Sequence, residues 1–118
     1  MAVTIYHNPR CSKSRETLAL LQDRGVEPKV VEYLTDTPDA RTLDGLLKKL
    51  KLEPRDLMRR KEAPYRDLGL DDPGLSRAAL IDAMVEHPIL IERPIVVKGA
   101  KAALGRPPEK VLELLYPL

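Results

Sequence analysis

Residues 7–15, His-Asn-Pro-Arg-Cys-Ser-Lys-Ser-Arg, hold the chain's single cysteine, Cys11, between cationic side chains. Cys11 lies where a short apolar run gives way to a helical pattern, so it begins, or just precedes, a helix. Unpaired backbone N–H groups and the macrodipole at such a terminus favour an anion, and a thiolate is one. The dipole is worth up to about 2 kcal/mol and one pKa unit is about 1.4 kcal/mol, so a thiol near about 8.5 falls to about 7. That takes the thiolate from a few per cent to about half at neutral pH. Arg10, Lys13 and Arg15 lower it further if their side chains point toward the sulfur, and Ser14 is spaced to offer its hydroxyl. Amides at a helix N-terminus also bind oxyanions, so nucleophile and anion site coincide here. The competing reading is that a lone cysteine is buried packing material. The turn residues His7, Asn8, Pro9, Arg10 and Ser12 argue against deep burial, and the reactive reading is preferred.

Spacing removes two other chemistries. A phosphatase-type loop needs an arginine after five intervening residues, and that position is Thr17, with Arg15 too early. A dithiol redox motif needs a second cysteine at position 14, which is Ser14. One cysteine makes neither an internal disulfide nor a multi-cysteine zinc site, so no metal is expected and a reducing compartment is. Any adduct on this monothiol must be resolved by a thiol from another molecule.

The elements that position Cys11 follow from the apolar pattern. Val3 and Ile5 alternate with Thr4 and Tyr6 as in a half-buried strand, which Asn8-Pro9 ends. Residues 12–24 carry a helical pattern with Leu18, Leu20 and Leu21, stopped by Gly25. Lys29–Leu34 reads as a strand parallel to the first, completing a βαβ unit. Thr37-Pro38 then opens a helix whose Leu43, Leu46, Leu47 and Leu50 fall on one face. Residues 54–75 read as a connection with a short helical stretch around 55–58. Ser76 caps a helix with Ile81, Met84 and Val85 that His87-Pro88 ends. Residues 93–106 have the form of a hairpin around Lys98-Gly99, and Pro107-Pro108 opens a closing helix with Val111, Leu114 and Leu115. The order β-α-β, helical insert, β-β-α is that of a small α/β sandwich resembling thioredoxin.

The 118 residues suit one domain, residues 1–118, with the helical insert at about 38–88. A net charge of +2 is too balanced to coat nucleic acid, and with no Phe or Trp and four Tyr there is no platform for stacking bases. The N-terminus lacks a secretory pattern, and no apolar run approaches the roughly 18 residues of a membrane span. The expectation is a cytoplasmic protein without nucleic-acid or membrane partners.

Four blocks, TIYHNPRCSKSRETL, RRKEAPYRDLGL, HPILIERPIVVKG and GRPPEKVLELL, resemble the glutaredoxin-coupled arsenate reductase family, in particular its short arsenate-reductase-like subgroup. The resemblance implies a thioredoxin-like fold, α/β with a mixed sheet and a helical insertion between its βαβ and ββα halves. It implies attack of the Cys11 thiolate on arsenate, with glutathione as co-substrate, glutaredoxin as electron donor, and no tightly bound cofactor. It assigns the oxyanion to Arg59, Arg93 and Arg106, support of the thiolate to His7 and Ser14, and a cis bond to Pro94. Guanidinium forks suit a tetrahedral oxyanion; without the resemblance each arginine reads as solvated surface. Two alternatives remain: a Spx-like redox-responsive transcription regulator, which would need the second cysteine that Ser14 denies, and a thiol reductase acting on another oxyanion or on glutathionylated substrates. A monomer is the simplest assumption.

Overall fold

The computed structural model describes residues 2–115, which divide into two compact units, residues 2–36 with 93–115 and residues 37–92. The first unit is built on a four-stranded mixed sheet of order β2-β1-β3-β4. Strand β1 (Val3–His7) alternates as its sequence requires, with Val3, Ile5 and His7 buried and Thr4 and Tyr6 half-buried. It pairs in parallel with β2 (Lys29–Glu32) and antiparallel with β3 (Ile95–Lys98), which turns through Gly99 into β4 (Lys101–Leu104). Gly99 takes φ +60°, a conformation that costs a residue without Cβ little.

Helix α1 (Ser12–Asp23) connects β1 to β2, and Gly25 at φ +79° ends it. Strand β2 is shorter than the expected 29–34, because the amides of Thr35 and Asp36 turn back to donate to the Glu32 carbonyl. The closing helix takes 3-10 form over Pro108–Leu115. Its three residues per turn put Val111 and Leu114 on one edge, where with Leu115 they join Val3, Ile5, Leu21 and Val96 in an aliphatic core.

The second unit is helical. Helix α2 (Ala40–Leu50) buries Leu43, Leu46 and Leu47 and packs against α4 (Arg77–Glu86), which buries Leu80, Ile81, Ala83 and Met84. The cap of α2 is Asp39 rather than the Thr37 region, since its carboxylate accepts from the Thr42 amide at 2.8 Å. Ser76 caps α4 as expected, accepting from the Ala79 amide at 3.1 Å. Between them lie a 3-10 turn at Pro54–Leu57 and a short helix α3 (Ala63–Asp67). Arg55 holds this connection together by donating from Nε to the Leu70 carbonyl at 2.9 Å and from Nη2 to the carbonyl of Asp72. A bridge between Met58 and Ile91 ties the connection to the end of the unit. No helix among the described residues is long and apolar enough to cross a membrane.

Arg93–Pro94 and Arg106–Pro107 are cis peptide bonds. Gly105 bridges these two segments, its amide donating to the Pro94 carbonyl at 2.9 Å. A Cβ there would lie 2.7 Å from Pro94 Cγ and 3.0 Å from Thr17 Cγ2, both on stiff side chains. Gly105→Ala is therefore expected to destabilise the protein by about 1–3 kcal/mol, the usual cost of overpacking. Urea denaturation checks this, and an unchanged midpoint would mean that the approach is not tight.

Candidate active site

Cys11 is the N-cap of α1, in extended conformation at φ −93° and ψ 122°, and its side chain is half-buried rather than enclosed. Its position follows from the preceding turn. The Asn8 side-chain Oδ1 accepts from the Arg10 amide at 3.0 Å, and the Asn8 carbonyl accepts from the Cys11 amide at 3.0 Å. An N-cap side chain faces the amides two and three residues on. Here those belong to Lys13 and Ser14, so the sulfur occupies the place of a capping oxygen without closing a full cap hydrogen bond.

The Cys11 thiol is held below its ordinary pKa. Burial, the largest single influence, pushes it up, but is outweighed by the Ser14 amide, the charge and hydrogen bonding of the Arg93 guanidinium, and the Lys13 amide. The cation acting on the sulfur is thus Arg93, not the near neighbours. Arg15 is turned to donate to the Pro9 carbonyl at 3.0 Å, and Lys13 pairs with Glu16 at 3.5 Å.

Ser14 corrects the expectation that its hydroxyl serves the sulfur. The fully buried hydroxyl shares a 2.6 Å hydrogen bond with His7 Nδ1 and accepts from the Asn8 amide at 3.0 Å. Ser14 reaches the thiol through its backbone. Burial holds His7 below its usual pKa, with Glu32 opposing and Arg15 reinforcing. Ser14→Ala would leave a buried ring nitrogen and a turn amide without their shared partner. A loss of about 1–3 kcal/mol is expected in urea denaturation, with a smaller change in Cys11 alkylation than loss of Arg93 produces. An unchanged midpoint would contradict the structural role.

Arg93 precedes β3, and its Nε is buried without a hydrogen-bond partner among the described residues. Arg106 is exposed and donates from Nη1 to the Arg93 carbonyl at 3.0 Å. His7, Cys11, Ser14, Arg93 and Arg106 therefore belong to one unit and are linked by direct interactions. Arg59 belongs to the other unit, where it pairs with Glu62 at 2.9 Å and Glu92 at 3.9 Å. Its neighbour Arg60 donates to the Arg55 carbonyl instead.

Sequence reasoning missed Asn8 and Thr17. The Asn-Pro pair signalled a turn but not that Asn8 shapes it. Thr17 is fully buried, with its hydroxyl donating to the Lys13 carbonyl at 2.7 Å and its side chain against Gly105. Among the described residues no group of three or more His, Cys, Asp or Glu is arranged to hold a metal ion.

A thioredoxin-like sheet with one thiol at the N-terminus of its first helix defines a monothiol protein of the thioredoxin-fold class. Comparison with known proteins narrows the class. The profile of the ArsC family matches residues 6–114. The chain is 60% identical over 114 residues to the uncharacterized protein YfgD of Escherichia coli, covering 96% of both chains. It is 52% identical over 116 residues to an arsenate reductase of Haemophilus influenzae, covering 98% of this chain and 100% of that one. The solved arsenate reductase of Vibrio cholerae superposes with a TM-score of 0.95 at 56% identity, over 98% of each chain. The protein belongs to the ArsC family, the family its sequence blocks resemble.

Proposed function

We propose that the protein reduces arsenate to arsenite, with Cys11 as the nucleophile and with glutathione and glutaredoxin supplying the electrons. The observation that carries this reading is the Arg93 guanidinium, which lowers the thiol pKa while keeping a buried Nε–H unpaired. A buried donor without a partner costs about 1–3 kcal/mol, and an oxyanion drawn to Cys11 would relieve that. The arsenate reductases of Haemophilus influenzae and Vibrio cholerae, similar over nearly their whole length, support the choice of oxyanion.

In this reading Arg93 and the amides of the α1 terminus receive arsenate oxygens, because preorganised donors stabilise charge that grows during attack. Arg106 adds a second guanidinium, and the family resemblance adds Arg59. The Cys11 thiolate forms an S–As bond as one As–O bond breaks, and that oxygen leaves as water after taking up protons. His7 and Ser14 hold the turn that presents the sulfur. Glutathione then brings the second thiol, which the chain with its single cysteine cannot supply. Overall, arsenate and two thiols give arsenite, one disulfide bond and water, arsenic gaining the two electrons that the sulfurs lose. Glutaredoxin and further glutathione return Cys11 to its thiol. The enzyme works as a cytoplasmic monomer beside these soluble donors.

The test is arsenate-dependent NADPH oxidation coupled through glutathione reductase, with glutathione and glutaredoxin omitted in turn. Turnover that needs both is the expected result. Turnover with another oxyanion but none with arsenate would replace the substrate.

A further inference from the structure

We propose that a cavity on the β2 side of the Cys11 turn is the subsite for the peptide thiol that reduces the arsenic adduct, an inference that rests on the reductase reading above. The cavity has a volume of about 290 Å³ and is lined by His7, Asn8 and Arg10 of the turn and by Glu32, Leu34 and Thr35 at the end of β2. Arg10 immediately precedes Cys11, so an occupant of this cavity lies beside the turn that carries the sulfur.

Topology separates the two reactants. In the order β2-β1-β3-β4, the turn after β1 has β2 on one side and β3 on the other. Arg93, which acts on the sulfur, comes from the β3 side. The cavity opens on the β2 side, so a thiol bound there does not compete with the oxyanion for the same donors.

The lining matches a glutathione-class peptide, which carries two carboxylates, one ammonium group and a short uncharged stretch. Arg10 offers a guanidinium to a carboxylate, and Glu32 offers a carboxylate to the ammonium. Neither side chain forms an ion pair among the described residues. Leu34 is 39% exposed, a large apolar side chain available for the uncharged stretch. The rim is fixed in advance, since Thr35 donates to the Glu32 carbonyl from its amide at 3.0 Å and from its hydroxyl at 3.2 Å. A preformed cavity with opposite charges is what recognition of a small zwitterion requires.

S-methylglutathione, which binds but cannot react, tests the subsite directly. Titrated into the ¹⁵N-labelled protein, it is expected to shift the amide signals of Asn8, Arg10, Leu34 and Thr35 saturably. Arg10→Glu is expected to weaken that binding about tenfold, the loss of one charge-assisted hydrogen bond. Leu34→Asp, a substitution at an exposed site, provides a second variant. In the coupled assay Arg10→Glu is expected to raise KM for glutathione about tenfold and to change KM for arsenate much less. Shifts centred on Arg93 and Gly105, or no saturable shift, would overturn the subsite. So would a raised KM for glutaredoxin with that for glutathione unchanged. Saturable shifts at the cavity without arsenate turnover would retain the subsite and remove the reductase reading; turnover with unchanged KM values would do the reverse.

Discussion

Replacing Cys11 with serine is expected to bring arsenate turnover to background, a fall of at least about 10³-fold, while the melting temperature holds or rises slightly. The hydroxyl is only slightly smaller than the thiol, but it stays protonated throughout the working pH range, so no environment of this kind makes it a comparable nucleophile. Folding has little to lose. The Cys11 side chain is half-buried and closes no cap hydrogen bond, whereas serine is among the best N-cap residues. Activity and thermal unfolding measured on one preparation separate the two effects. Residual turnover within about tenfold of the wild type would show that chemistry proceeds without the sulfur.

Arg93→Ala is expected to lower kcat/KM for arsenate by about 10²–10³-fold, the usual result of removing one preorganised oxyanion donor. It should also move the Cys11 pKa upward, because the guanidinium's charge and hydrogen bond are lost while the Ser14 and Lys13 amides remain. A higher pKa means less thiolate at a given pH, so the acid limb of the rate profile should shift to higher pH. Arg93→Lys keeps the charge without the fork and should fall between. Stability carries the same sign. The folded-state pKa of Cys11 is depressed, so its contribution is full above the unfolded value and is lost as pH falls through the folded one. Arg93→Ala should shrink that window. A normal kcat/KM with an unshifted profile would remove Arg93 from the site.

The residues explain which parts of this architecture can be read from sequence. The leucines of α2 repeat with helical period because one face is buried, and they are visible for that reason. The alternation in β1 is equally plain, since a central strand buries every second residue on one face. Helix α3 buries none of its own residues and so leaves no apolar period to detect. The sequence places the opening of α2 at Thr37-Pro38, whereas the cap is Asp39, a second cap former two residues on that only the Thr42 amide singles out.

At the site, local spacing located the thiol but not what acts on it. Charges adjacent in sequence, Lys13 and Arg15, are drawn off by Glu16 and the Pro9 carbonyl. The effective cation comes from far along the chain, brought in by the antiparallel pairing of β1 with β3. No periodicity encodes that contact, and the family's sequence blocks were the only signal for Arg93 and Arg106. Spacing alone points the Ser14 hydroxyl at the sulfur, because it cannot reveal His7 as a competing partner.

The chemistry rests on this fold lowering the pKa of the Cys11 thiol and so raising its thiolate fraction at neutral pH. Its most direct test is the rate of Cys11 alkylation by iodoacetamide across pH, in the folded protein and in the same chain unfolded in urea. The folded protein should titrate at lower pH than the unfolded chain, and Arg93→Ala should recover part of the difference. A folded-state titration that coincides with the unfolded one, or lies above it, would contradict the account.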